Sequence, residues 1–371
     1  MKSKITYVIS DVNKSYAFEW IIQRFNFDLF DLHFILINRN GSPLENFIST
    51  NSIKYDRVEG DSKLKMFIAV LRVWVLLRRN KTSIVHTHLF RASLIGLTAA
   101  WLAGIKRRIH TRHHSDYHHR YFPSAVKFDR WINYLSTDVI SISQVVSKVL
   151  MEDENVSPNK IKLINHGFDI QFIQDSAKIF YPVVKEKYLP EKRFPVIGVI
   201  SRFTRWKGVQ FVIPAFKKLL NDYPDAQLIL ANAKGDDMDS IKKLLIDIPS
   251  NNFRLIEFEE NIYSLYLLFD IFTHVPISEN VEAFGQVYIE ASILGSPSVV
   301  TLSGIANQIL EDKKNVLVVD YESSESIYHA WKELLQNPDL RNNLALESKK
   351  VVRDKFSIER MMNDLNSLYL R

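Results

Sequence analysis

Short apolar runs recur along this chain at intervals that leave room for a helix between each pair. KITYVIS, DLHFILI, SIVHTHLF, KRRIHTRHH and DVISIS occupy the first half; PVIGVIS, AQLILANA, NFRLIEF, DIFTHVP, PSVVTL and NVLVVD occupy the second. Helix-like stretches such as YAFEWIIQRF and SLIGLTAAWLAG lie between them. Strands that are apolar throughout are buried on both faces, and the crossovers that parallel pairing requires are usually helices. An α/β chain with parallel, doubly wound sheets follows. At 371 residues the chain is longer than one ordinary core supports, so the two strand runs predict two Rossmann-like domains. The stretch QDSAKIFYPVVKEKYLPEKRFP loses clean periodicity and carries three prolines. It is read as a linker over 176–194, between a first domain at 1–175 and a second at 195–355.

Composition narrows the function classes. There is no cysteine, which excludes a disulfide scaffold, thiolate zinc ligation and a cysteine nucleophile, and agrees with a reducing cytosol. MKSKITYVISDV reads as a first strand, not as a signal peptide. The net charge of +6 is uneven: residues 1–169 hold 24 Lys and Arg against 15 Asp and Glu. A basic half of this kind suits an anionic partner: nucleic acid, a phosphorylated acceptor or an anionic membrane surface. The segment DSKLKMFIAVLRVWVLLRRNKTS is too short and too interrupted, at Arg72, to span a bilayer. It reads as a crossover helix whose basic edge can also touch a membrane. No nucleic-acid module or interleaved aromatic platform accompanies the basic residues.

Open α/β sheets bind ligands at the carboxyl ends of their strands, so those loops are the places to search. In GVISRFTRWKG a strand ends near Ser201 and a helix starts after Gly208, so Arg202 and Lys207 flank a loop suited to phosphate. In ENVEAFGQVYIEASILG, Glu282 lies in the loop, Gly285 at the helix start and Glu290 about two turns in. A carboxylate accepts two hydroxyl hydrogen bonds and suits a vicinal diol. Taken singly, each of these residues also reads as ordinary surface.

In this order and separation, SRFTRWKG and EAFGQVYIE resemble the pattern of glycosyltransferase family 4, whose members are retaining, nucleotide-sugar-dependent enzymes of the GT-B fold. KLINHGFD is similar to the family's strand and turn at the end of the first domain, and SIVHTHLFRASLIGLTAAWLAGIKRRIHTRHH to its strand-helix-strand ending on Thr-x-His. DKFSIERMMNDLNSLY resembles a final helix, here 356–371, that returns to the first domain. The resemblance implies two domains facing a central cleft whose closure completes the site. It implies Arg202, Lys207, Glu282, Phe284, Gly285, Gln286 and Glu290 at the donor, with Arg202 and Lys207 on the diphosphate and Glu290 on the ribose. It also implies His113, Glu282, Arg202 and Lys207 in catalysis, with His113 beside the sugar. Asn13, His114, Asp116 and His118 fall on the acceptor side. An imidazole near a developing cation works neutral, so activity is expected to fall as pH drops through about 6.5.

The resemblance further implies a UDP-sugar donor, GDP-sugar being the alternative, and a glycan or lipid-linked acceptor in cell-surface polysaccharide synthesis. It places the enzyme in the cytoplasm, peripheral to the membrane, with no metal or other cofactor. His86 and His88 share a strand face, but no carboxylate pair or cysteine completes a metal site from the sequence. The chain departs from the pattern by having no glycine before Gly41, and by Ser201, Ser303 and Asn307 at positions where others are usual. Two other classes stay open at this point: a GT-B sugar-nucleotide epimerase, and a non-catalytic protein binding anions or nucleic acid.

Overall fold

The computed structural model describes residues 2–371 and divides the chain into two compact units. One runs up to Phe168 and takes in Ile358–Arg371; the other is Asp169–Ser357. The first contains seven strands: β1 Ser3–Ser10, β2 Phe30–Ile37, β3 Lys54–Val58, β4 Ile84–His88, β5 Arg107–Arg112, β6 Asp138–Ser141 and β7 Ile161–Leu163. They form one parallel sheet in the order β3-β2-β1-β4-β5-β6-β7. The second contains β8 Val196–Ile200, β9 Gln227–Ala231, β10 Phe253–Ile256, β11 Ile271–His274, β12 Ser298–Val300 and β13 Leu317–Val318, also all parallel, in the order β10-β9-β8-β11-β12-β13. Both sheets are Rossmann-like and doubly wound, as the alternation predicts.

The apolar runs explain the burial. In β4, β8, β9 and β11 every residue is buried, since helices cover both sheet faces. The strand β3 was not anticipated. It sits at the sheet edge, its sequence KYDRV is largely exposed, and no apolar run announces it.

Residues 176–194, expected as a linker, are mostly helix. A 19-residue helix, Ile170–Tyr188, starts at Asp169, whose side chain accepts from the Phe172 N–H at 2.9 Å, and buries Ile173, Ala177 and Val184 within the second unit. The prolines mislead here because Pro182 is carried inside that helix. The closing helix, Ile358–Leu370, belongs to the first unit. It buries Met361, Met362, Leu365, Leu368 and Tyr369, and the Tyr369 hydroxyl meets Tyr7 of β1 and His86 Nδ1 of β4, each at 2.6 Å.

The strand order places the candidate loops. In each sheet the order reverses once, between β1 and β4 and between β8 and β11. At such a reversal the two following loops diverge to opposite faces and open a crevice at the strand ends.

Candidate functional site

In the second unit the loops that follow β8 and β11 are residues 201–208 and 275–285. Arg202 and Lys207 lie in the first, Glu282 in the second. The backbones are fitted closely: the Ile277 N–H donates to the Trp206 carbonyl at 3.1 Å. Gly208, at φ +77°, starts the helix Val209–Asp222, and a Cβ there would come within 1.8 Å of the Val275 oxygen. Only glycine fits.

Lys207 reaches across to Glu282, with Nζ 2.5 Å from Oε1. The same Oε1 accepts from His274 Nε2 at 3.0 Å. His274 ends β11, is buried and stacks its ring edge against Tyr288. Lys207 also lies over the Trp206 ring at 4.5 Å, a cation–π contact. The Glu282 N–H donates to Ser303 Oγ, whose own hydroxyl faces the Ser278 and Glu279 carbonyls, so Ser303 fastens this loop. Burial alone would push the Glu282 carboxyl upward. The Lys207 charge and the His274 hydrogen bond outweigh it and hold the group at about 2. Both contacts fall on Oε1, so Oε2 remains for a ligand.

Arg202 is exposed, with no side-chain partner among the described residues. Gly285, at φ +85°, precedes the helix Gln286–Leu294, and a Cβ there would strike the Tyr288 ring at 2.6 Å. Gln286 is exposed at the helix start, whereas the Phe284 ring is buried against Phe356, so only the backbone of Phe284 can face a ligand. Glu290 is half-buried; Tyr266 donates to its Oε2 at 2.7 Å. Burial raises its carboxyl to about 6, and the Tyr266 hydrogen bond tempers the rise.

In the first unit His113 follows β5 and is partly buried. Its Nε2 is 3.2 Å from Nδ1 of His88, the last residue of β4, and His166 stacks on its other side with ring centres 5.4 Å apart. Burial, then the neighbouring imidazoles, hold His113 well below its ordinary value. The expected fall in activity near pH 6.5 therefore does not belong to this ring, which is neutral there. His86 and His88 do not form a metal pair: both His86 nitrogens are engaged, Nδ1 by Tyr369 and Nε2 by Thr111.

The four acceptor-side residues do not converge. Asn13 is exposed in the loop after β1, where its carbonyl accepts from Leu44. That loop turns without glycine because Asp11 itself takes φ +58° and pairs with Arg91 at 2.9 Å. His114 and His118 turn onto Asp129, and Asp116 pairs with Arg120. Sequence reasoning missed His274, His166 and Asp129, and weighed His88 only as a metal partner of His86. A histidine inside the apolar run DIFTHVP was the one available signal.

Comparison with known proteins agrees with this fold. Residues 182–351 match the family model described as Glycosyl transferases group 1, and residues 30–172 match Glycosyltransferase Family 4. The chain is 24% identical over 311 residues to the capsular polysaccharide biosynthesis glycosyltransferase CapM of Staphylococcus aureus, spanning 81% of this chain and 80% of that one. It is 22% identical over 318 residues to the UDP-Gal:alpha-D-GlcNAc-diphosphoundecaprenol alpha-1,3-galactosyltransferase of Escherichia coli, spanning 83% and 80%. Among solved structures, Anabaena Alr3699/HepE in complex with UDP-glucose superposes with a TM-score of 0.82 at 16% identity, over 99% of this chain and all of that one. The UDP-GlcNAc 2-epimerase of Neisseria meningitidis is more distant, at 0.67 and 15%, over 99% of each chain.

Proposed function

This chain belongs to the family 4 glycosyltransferases of the GT-B fold, and from that premise we propose the reaction it performs. It moves a hexose, with retention of anomeric configuration, from a nucleoside diphosphate to a glycan or lipid-linked acceptor in cell-surface polysaccharide synthesis. UDP is the favoured carrier, supported by the UDP-glucose held by the Anabaena neighbour and the UDP-galactose named for the Escherichia coli relative.

The observation that carries the reading is the Lys207–Glu282–His274 cluster at the β8/β11 reversal, with Arg202 on the same loop as Lys207. Breaking the sugar–diphosphate bond leaves positive charge on the sugar and negative charge on the diphosphate. Lys207 and Arg202 meet that negative charge, and Lys207 is already oriented by its pair with Glu282. Glu282 Oε2 accepts from a sugar hydroxyl, and Glu290 accepts from the ribose diol. His113 contacts the sugar as a neutral ring. These residues supply the leaving-group stabilisation without a metal ion or cofactor.

The acceptor side is supported by the helix Lys63–Arg79. It leaves Leu64, Phe67, Leu71 and Val75 exposed, spaced along one stripe, with Lys65, Arg72, Arg78 and Arg79 among them. An apolar stripe with cations at its edges suits an anionic membrane surface. No helix among the described residues is long and apolar enough to cross a membrane. In this reading the basic stripe holds the enzyme against the inner, cytoplasmic face of the membrane.

A thermal-shift screen of nucleotide sugars identifies the donor, since a ligand that binds only the native chain raises its apparent stability. Release of nucleoside diphosphate from that donor should depend on added acceptor. Acceptor-independent isomerisation of the sugar nucleotide would instead establish the epimerase.

A further inference from the structure

Next to the His113 segment the first unit buries three formal charges. Arg112 places Nη1 2.9 Å from Asp129 Oδ1 and Nη2 2.5 Å from Glu154 Oε1, and all three side chains are fully buried. One guanidinium faces two carboxylates, which leaves an excess of one negative charge. Such an excess is costly away from water unless neighbouring groups meet it. Glu154 is well served, by Arg112, by Asn133 Nδ2 at 2.6 Å and by His119 Nε2 at 3.2 Å. Asp129 is less so: Oδ1 lacks a well-aligned hydrogen bond. On its outer side stand two imidazoles, with His118 Nδ1 2.6 Å from Oδ2 and His114 Nε2 3.4 Å from Oδ1. One donor atom from each of His114, His118 and Asp129 lies within 4.8 Å of the other two.

We propose that His114, His118 and Asp129 bind a divalent transition-metal ion, zinc by preference, with a remaining coordination position open to solvent. Two imidazoles and a carboxylate are a zinc-type donor set. Ligands about 2.0–2.1 Å from a tetrahedral zinc lie about 3.3 Å apart, and the His114–Asp129 separation of 3.4 Å already fits. The shorter His118–Asp129 contact is a hydrogen bond, which opens as the His118 proton moves from Nδ1 to Nε2 and the ion takes its place. The His114 and His118 side chains are 22% and 12% exposed, so the ion has a path in. Arg112 stands behind the carboxylate and holds it in position. The ion fastens the short helix Tyr117–Tyr121 to the helix Val126–Leu135 that carries Asp129. The transfer chemistry proposed above uses none of these three side chains.

The full-length chain, stripped by dialysis against a chelator, should be titrated with zinc chloride by calorimetry and with cobalt chloride by absorption. The expected result is one saturable site per chain, with cobalt d–d bands. Affinity should drop by more than about tenfold in His114→Ala and in His118→Ala, since even the partners of metal ligands are worth that much. His329→Ala, at an exposed histidine paired with Glu325, should bind as the wild type does. Zinc should raise the melting temperature of the wild type and of His329→Ala, and raise it less in the two ligand variants, which also shows that those variants are folded. Absence of a saturable site, or a site kept in both ligand variants, overturns the proposal. So does stability that follows pH without responding to zinc, because a proton on His118 would then be what meets the charge.

Discussion

Replacing Lys207 by alanine tests the transfer reading at its strongest point, because the structure predicts two separable losses. Lys207 and Glu282 pair at 2.5 Å with side chains only 14% and 7% exposed. The Glu282 carboxyl is held at about 2 against an ordinary 4.5. At about 1.36 kcal/mol per decade, that gap corresponds to about 3 kcal/mol of stability, shared between Lys207 and His274. Removing Lys207 should therefore cost about 2 kcal/mol. The folded-state value lies below the unfolded one, so this contribution is fully present above pH 4.5 and disappears as pH falls toward 2. The variant should be weaker than the wild type at pH 7 and close to it only at pH 2, in urea melts. Catalysis should lose about 2–4 kcal/mol of transition-state stabilisation, or roughly 30- to 1,000-fold in kcat/KM. Adding Glu282→Gln to Lys207→Ala removes the bare carboxylate and should restore stability without restoring transfer. Turnover within a few-fold of the wild type with an accepted nucleotide sugar would refute the diphosphate role. A stability loss of equal size at both pH values would refute the charge-pair argument.

Arg202→Ala should slow transfer by a comparable factor while leaving stability unchanged, since Arg202 is exposed; the double variant with Lys207→Ala should be less than additive in single-turnover rates. Glu290→Gln should weaken binding of the free nucleoside diphosphate more than it slows chemistry, by calorimetry beside steady-state rates. The raised Glu290 value means that its protonated form is favoured on folding; this stabilisation is present below pH 4.5 and lost as pH rises through about 6, so the same variant should be more stable than the wild type at pH 7. His113→Ala should reduce transfer sharply, and the wild-type rate should show no loss attributable to this imidazole on descending through pH 6.5, because burial and the neighbouring rings keep it neutral. Phe67→Ser with Leu71→Ser should reduce co-sedimentation with anionic lipid vesicles by several-fold without changing transfer to a water-soluble acceptor; unchanged sedimentation would remove the membrane contact.

What the sequence conveys, and what it withholds, follows from how far apart the interacting residues lie along the chain. Buried parallel strands announce themselves because covering both faces makes most of their residues apolar, whereas β3, at an edge, is written in charged residues and passes unnoticed. Arg202, Lys207 and Glu282 are legible because the loops following two adjacent strands are short and carry their chemistry in contiguous stretches. Ile271 pairs with Ile197 in β8, and that register brings the two loops to one end of the sheet. His274 is different. Its side chain emerges from within an apolar strand, and only the partner loop turns it from a core residue into a support for Glu282. Asp129 is harder still, being 11 residues beyond His118 on a separate helix and drawn under the histidines by Arg112. The carboxylate written inside the histidine-rich stretch, Asp116, pairs with Arg120, and the one that His114 and His118 meet, Asp129, arrives only in three dimensions. The pairing that decides between a hydrogen-bonded network and a metal site is set by the packing of two helices, which local spacing does not encode.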